Sequence, residues 1–162
     1  MTSRPIEGGA EYEIERKFLL RGLPGMPAPI DVLEIDQGYL PGVRLVERLR
    51  RQRARDGRMS YFRTVKVGSG VRRLELEEET DPRTFEHLWQ LTEGRRLRKR
   101  RYVIPEGDRY WEIDEFLDRD LVLAEMEIPT AETEITIPEW LHPMLVRDVT
   151  GERTYTNRNL AR

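Results

Sequence analysis

Residues 11–20 read EYEIERKFLL, and the conformation of that stretch decides the architecture of the chain. As a β-strand it sets Glu11, Glu13, Glu15 and Lys17 on one face and Tyr12, Ile14, Arg16 and Phe18 on the other. As a helix it would gain the i,i+4 pair Glu13–Lys17, but Tyr12, Ile14 and Phe18 would form no coherent apolar stripe. The strand reading is the better one, and it spreads outward.

The same period of two recurs along most of the chain. Segment 43–52 places Arg44, Arg48 and Arg50 opposite Val43, Leu45 and Leu49, and in 59–67 Ser60, Phe62, Thr64 and Lys66 alternate with Tyr61, Arg63, Val65 and Val67. Segment 71–79 sets Arg73, Glu75, Glu77 and Glu79 against Leu74 and Leu76, and 97–104 carries Lys99 and Arg101. Segment 110–117 backs Glu112 and Asp114 with Trp111, Ile113 and Leu117, and 121–128 backs Glu125 and Glu127 with Val122, Ala124, Met126 and Ile128. With the apolar stretch 32–40 this makes about eight strands. Turn signals separate them at Pro41-Gly42, Asp56-Gly57, Gly68-Ser69-Gly70 and Glu106-Gly107-Asp108. One segment reads as a helix: Asp81 is a good N-cap, Pro82 suits the first turn, and Phe85, Leu88 and Trp89 recur at helical spacing before Gly94. Residues 138–146 read as a short turn or helix interrupted by Pro143. Residues 1–10 read as a flexible leader and 11–162 as a single domain.

Composition narrows the chemistry. The chain has 162 residues, enough for one core, and its 28 basic and 30 acidic side chains nearly cancel, so no overall field draws it to nucleic acid or a membrane. It has no stretch of the roughly 20 apolar residues a membrane span needs and no signal-peptide h-region, so a cytoplasmic protein is expected. The absence of Cys excludes thiol catalysis, disulfide scaffolds and Cys-ligated metals, and two His leave little room for imidazole chemistry. Carboxylates, Arg and Lys must therefore carry the function. Only three of the basic residues are Lys (Lys17, Lys66 and Lys99), which reads either as chance or as positions where a compact ammonium, and not a guanidinium fork, is needed.

Any one of these alternating strands is explained by a solvated sheet face. The set differs from that, because its charges segregate into acidic pairs (13/15, 75/77, 112/114, 125/127) and basic pairs (48/50, 99/101). Neighbouring like charges repel unless opposite charge lies between them. If the strands close with these faces inward, the paired carboxylates suit a hard cation such as Mg²⁺ or Mn²⁺, and the clustered Arg and Lys suit phosphate.

At this point the motifs can be compared with a known pattern. Glu13-Ile14-Glu15-Arg16-Lys17 resembles the E-x-E-x-K signature of the CYTH, or triphosphate tunnel metalloenzyme, superfamily. Further elements follow in order: Gln37-Gly38-Tyr39-Leu40, Arg48-x-Arg50, Thr64-Val65-Lys66, Arg73-x-Glu75-x-Glu77, Glu93-Gly94, Lys99-x-Arg101-Tyr102, Glu112-Ile113-Asp114, Ala124-Glu125-Met126-Glu127 and Val149-Thr150-Gly151. All three lysines fall on them. The resemblance implies an α+β, mainly β fold, an eight-stranded antiparallel β-barrel forming a triphosphate tunnel with a few flanking helices. It implies Glu13, Glu15, Glu75, Glu77, Asp114, Glu125 and Glu127 as metal-binding carboxylates. Lys17, Arg48, Arg50, Lys66, Arg73, Lys99 and Arg101 become phosphate-binding residues, with Glu13, Glu15, Lys17 and Lys99 closest to the catalysis.

The implied activity is hydrolysis of inorganic triphosphate to pyrophosphate and phosphate with Mg²⁺ or Mn²⁺. The alternatives are a thiamine or nucleoside triphosphatase, a class IV adenylyl cyclase, or a polyphosphate-binding module without catalysis. No separable nucleoside-recognition insert is present, which favours a small linear substrate. The sequence departs from many bacterial relatives near its end: Thr154 stands before Tyr155 where they carry a basic residue, with Arg153 one position earlier. The loop 52–58, with Arg53, Arg55 and Arg58, reads either as a solvated loop or as a basic mouth that gathers polyphosphate. An outer face carrying Trp111 or Tyr61 is either a homodimer contact or is covered by the helix at 81–93.

Overall fold

In β1 (Glu11–Leu20) the alternation has the consequence its sequence demands: the charged odd-numbered side chains face one way, and Phe18 and Leu20 pack the other way into a core. The computed structural model describes residues 11–43, 45–67 and 72–161, without the side chains of Glu11, Tyr12, Arg72 and Arg73. The leader, Arg44 and the Gly68-Ser69-Gly70 turn lie outside the described residues.

The strands that follow are β2 (Asp31–Tyr39), β3 (Val46–Arg53), β4 (Met59–Val67) and β5 (Arg72–Glu79). Then come α1 (Pro82–Trp89), β6 (Arg96–Glu106), β7 (Arg109–Phe116), β8 (Val122–Glu127), β9 (Leu145–Asp148) and the four-residue α2 (Asn157–Leu160). Every pairing is antiparallel, and the order is β5-β4-β3-β2-β6-β7-β8-β1-β9. Two features depart from the expected eight-stranded barrel. The pairing order is that of a nine-stranded sheet, because residues 145–148, of which only 145 and 146 belong to the expected turn or short helix, add a strand to the edge of β1. In addition, β5 reaches back to pair with β1, among the described residues along 11–14. Pro143 lies in a 3-10 turn, His142–Met144, immediately before β9.

The outward face of β1, β6, β7 and β8 holds the main core. Phe18, Ile104, Trp111, Ile113, Ala124 and Met126 are buried there beneath Met26 and the segment carrying Ile135, Ile137, Trp140 and Leu141. Trp111 is fully buried between Phe18 and Trp140. Tyr61 is covered instead by α1, whose Phe85 meets it edge to face. Helix α1 starts where its cap predicts, with the Asp81 carboxylate accepting from Thr84 N at 2.9 Å. It docks through Gly38: a Cβ at that position would stand 2.7 Å from Thr92 and 2.9 Å from Trp89. Only a residue without a side chain lets the helix approach β2 so closely.

The inward positions are apolar at the ends and charged in the middle. Along β6 they run Leu97, Lys99, Arg101, Val103. Leu97 joins a cluster with Tyr39, Phe116 and Leu123 under Val149, whereas Val103 joins Leu33 and Ile35. Charged groups are thus held between two dry clusters. No described helix is long and apolar enough to cross a membrane.

Candidate active site

A cavity of about 370 Å³ lies against the inward faces. It is lined by Glu13, Glu15 and Lys17 of β1, Arg48 and Arg50 of β3, Lys66 of β4, and Glu75 and Glu77 of β5. Lys99 and Arg101 of β6, Glu112 of β7, and Glu125 and Glu127 of β8 also line it. Strand parity alone brings together residues up to 114 positions apart in sequence. Period two does here what a local motif cannot.

One side of the cavity is built from β3, β4 and β5. Arg48 Nη2 donates to Glu77 Oε2 at 3.0 Å and Arg50 Nη2 to Glu77 Oε1 at 3.2 Å, while the Thr64 hydroxyl donates to Glu77 Oε2 at 2.8 Å. Burial works against the Glu77 charge, but Arg50 and Arg48 outweigh it and hold this carboxyl below its usual range. Burial and the neighbouring Arg48 charge lower Arg50 to about 10. The Nε groups of Arg48 and Arg50 are buried without a hydrogen-bond partner.

Lys66 and Glu75 are register partners across β4 and β5 and form an ion pair. Glu75 also shares a hydrogen bond with Glu13. Burial, that bond and the Glu75 charge raise Glu13 to about 9. For Glu75 burial acts against ionisation, but the Glu13 hydrogen bond and the Lys66 charge prevail and lower it. Two carboxyls therefore hold one proton between them at neutral pH.

The deepest part is organised by Asp114, which is fully buried and does not line the cavity. Lys99 Nζ donates to its Oδ2 at 2.6 Å, and Arg101 grips both oxygens, Nε to Oδ1 at 2.7 Å and Nη2 to Oδ2 at 2.8 Å. Arg101 continues to Glu112 Oε2 at 2.6 Å and Glu125 Oε2 at 3.3 Å. Lys17 Nζ lies 3.2 Å from Glu125 Oε1. Burial lowers the Lys99 pKa in spite of Asp114. For Glu125 burial opposes ionisation, yet Lys17, Lys99 and Arg101 together keep it strongly acidic. Glu112 moves the other way, raised by burial against the pull of Arg101.

The acidic strands carry an arrangement that a plain sheet would avoid. Glu15 stands directly opposite Glu127 across β1 and β8, and Glu112 directly opposite Glu125 across β7 and β8. Like charges in such pairs are destabilising unless a cation lies between them. Arg101 lies between Glu112 and Glu125, and Lys17 stands 3.7 Å from Glu15; the carboxylate oxygens of the set are donors of the kind a hard divalent ion takes. Among the described residues no three carboxylates converge as a ready-made cage.

Of the residues expected to bind metal or phosphate, all but two are gathered in this cavity. Asp114 lies behind Lys99 and Arg101, and the side chain of Arg73 is outside the described residues. Glu112, and not Asp114, takes the cavity-lining place on β7. Arg53, Arg55 and Arg58 of the loop 52–58 do not line the cavity, and Arg53 pairs with Glu34 on the outer face at 2.6 Å. In the run 95–101, Lys99 and Arg101 turn inward while Arg98 and Arg100 pair with Asp36 and Glu34 outside. Sequence reasoning missed the wall formed by Glu152, Asn157, Arg158 and Asn159, and it named Arg153 only as a substitute for a neighbouring basic position. Tyr155 O accepts from Lys17 Nζ at 3.1 Å and Asn157 Oδ1 from Lys99 Nζ at 3.4 Å. The only sequence signals for this wall were Val149-Thr150-Gly151 and Arg153, because α2 is too short to show a period.

No protein-family model matches the chain. It is 36% identical over 156 residues to an inorganic triphosphatase of Nitrosomonas europaea, covering 92% of this chain and 96% of that protein. It is 33% identical over 154 residues to an inorganic triphosphatase of Acetivibrio thermocellus, covering 93% of each. Among solved structures, the inorganic triphosphatase NE1496 superimposes with a TM-score of 0.62 at 33% identity, over 92% of this chain and 93% of that one.

Proposed function

The chain belongs to the inorganic triphosphatase family, a family of hydrolases, and from that premise we propose that it cleaves inorganic triphosphate to pyrophosphate and phosphate. We read the cavity as the substrate tunnel of a CYTH, or triphosphate tunnel, metalloenzyme, with the β1–β5 pairing as the seam of its wall. One observation carries this reading: a single cavity holds Lys17, Arg48, Arg50, Lys66, Lys99 and Arg101 together with Glu13, Glu15, Glu75, Glu77, Glu112, Glu125 and Glu127.

The cations bind the phosphate chain. Arg48 and Arg50 each have an Nε–H to spare, and a phosphate oxygen relieves a buried donor that costs about 1–3 kcal/mol when unmet. Lys17 and Lys99 stand against Glu125 and Asp114, so their ammonium groups are held in place before substrate arrives. Mg²⁺ or Mn²⁺ would be held by Glu15 and Glu127, with Glu13, Glu75, Glu112 and Glu125 within the same acidic wall. Bound there, the ion would supply charge neutralisation and a more acidic water. Asp114 we assign to orienting Lys99 and Arg101. A carboxylate of the acidic wall takes the proton of the attacking water, and the basic side chains neutralise the charge that grows on the leaving pyrophosphate. No covalent intermediate is required.

The inorganic substrate is favoured over a nucleotide or thiamine triphosphate by the lining. Its apolar members among the described residues are Tyr39, Val46 and Val149, too few to receive a base or a thiazole ring. A small soluble substrate and the mean hydropathy of −0.69 agree with a cytoplasmic enzyme. Phosphate release from tripolyphosphate with Mg²⁺, with Mn²⁺ and with EDTA, repeated with ATP and thiamine triphosphate, tests this directly. Rapid release from tripolyphosphate alone, abolished by EDTA and restored by metal, is expected. Full activity in EDTA would overturn the metal role, and preference for an organic triphosphate would overturn the substrate.

A further inference from the structure

We propose that Arg153 and Arg158 capture the triphosphate at the mouth of the cavity, ahead of the cations that hold it for cleavage. The inference deepens the proposed function and rests on it for its kinetic consequence. Both arginines line the cavity and both are exposed, so they stand where it opens to solvent. The six cations that the strands contribute to the lining lie deeper, buried or half-buried. Each of those six is ion-paired with a carboxylate. Arg153 and Arg158 are paired with no carboxylate among the described residues. The wall's own carboxylate, Glu152, is turned to Arg147, which is not part of the lining.

That difference decides what an approaching polyanion meets first. A cation beside a carboxylate presents a dipole, whose field fades faster with distance than that of a lone charge. The deep cations therefore act only at contact, whereas the two wall arginines attract from the solvent. Both are held in place with their guanidinium groups largely unspent. The Arg153 carbonyl accepts from Asn159 Nδ2 at 2.6 Å and from the Thr156 hydroxyl at 2.9 Å, which pins the 3-10 turn Arg153–Tyr155. Arg158, on α2, donates from Nη2 to the Gly42 carbonyl at 3.4 Å and so reaches across to the turn after β2. The N–H groups that remain form the fork that suits phosphate oxygens.

The test replaces both arginines in the full chain, by Gln in one double variant and by Lys in another. Arg153→Gln with Arg158→Gln should lower kcat/KM for tripolyphosphate by about tenfold at low salt, with kcat within about twofold of the wild type, as charges at a rim do. The deficit should shrink as salt is added, because the attraction it removes is one that salt screens. The Lys variant should keep most of kcat/KM, and both variants should melt where the wild type does. An unchanged kcat/KM in the Gln variant would overturn the proposal. So would a loss carried in kcat, a loss indifferent to salt, or an equal loss in the Lys variant. Calorimetric binding of tripolyphosphate, in EDTA and with Mg²⁺, separates this inference from the proposed function. Binding without cleavage by the wild type would end the proposed function alone. The inference would then be decided by whether the Gln variant binds more weakly, and equal affinity would overturn it. No binding by the wild type in either condition would overturn both.

Discussion

The ammonium of Lys99 lies 2.6 Å from Oδ2 of Asp114, and the two side chains are 2% and 0% exposed. An ion pair this deep contributes little net stability, because desolvation offsets the attraction, but it is costly to break from one side. Asp114 also holds Arg101 through two hydrogen bonds, so a single carboxylate fixes two cations of the cavity.

Replacing Asp114 with Asn should therefore destabilise the chain by about 3–5 kcal/mol, the usual cost of a buried charge left without its partner. Urea denaturation at neutral pH measures it. A loss below about 1 kcal/mol would match a surface ion pair and show that the pair is not buried in solution.

Glu13 predicts a pH dependence. Its pKa stands at about 9 in the fold against 4.5 as the ordinary value. Between the two, the folded chain holds a proton that the unfolded chain has lost. Its contribution to stability is thus full below 4.5 and lost as pH rises through about 9. Glu75 has the opposite sign, its contribution present above 4.5 and lost as pH falls towards 2. In metal-free buffer, stability of the wild type should decline between pH 5 and 9 more steeply than that of Glu13→Gln. Parallel pH profiles for the two proteins would dismiss the shared proton.

Glu15→Gln keeps the shape of the side chain and removes one anionic donor from the pair with Glu127. Turnover of tripolyphosphate should fall by orders of magnitude while the thermal midpoint is retained or raised, because two facing carboxylates become one. Near wild-type turnover at limiting Mg²⁺ would take Glu15 out of the site.

Lys66 is expected to serve both substrate and the acidic wall. Lys66→Ala should weaken tripolyphosphate binding by about 1.5–3 kcal/mol, one charge-assisted contact. It also leaves Glu75 less balanced, so added Mg²⁺ should raise the melting temperature of the variant more than that of the wild type. Identical shifts would mean that Lys66 makes no difference to either charge.

Gly38→Ala is a test of packing rather than chemistry. A methyl group there meets Thr92 and Trp89 inside 3 Å, and overpacking of this kind costs about 1–3 kcal/mol. The melting temperature should drop with kcat nearly unchanged. An unaltered melting temperature would show that the 90–92 turn yields without cost.

The amino-acid pattern was enough to say which side chains share a face. Period two assigns Glu13, Glu15 and Lys17 to one side of β1, Glu75 and Glu77 to one side of β5, and Lys99 and Arg101 to one side of β6. In the structure those faces border one cavity. The cap at Asp81 and the turn glycines were equally legible, because each is satisfied within a few residues. Height along a strand was not. Glu112 and Asp114 have the same parity and the same charge, yet one lines the cavity and the other is sealed beneath Lys99 and Arg101. That choice depends on how β7 is staggered against β6 and β8, and stagger is set by contacts between distant residues. The same limit hid β9 and the wall formed by residues 152–159. A four-residue strand and a four-residue helix are too short to carry a period of their own, and they take their conformation from the edge of β1 and the lysines they meet there.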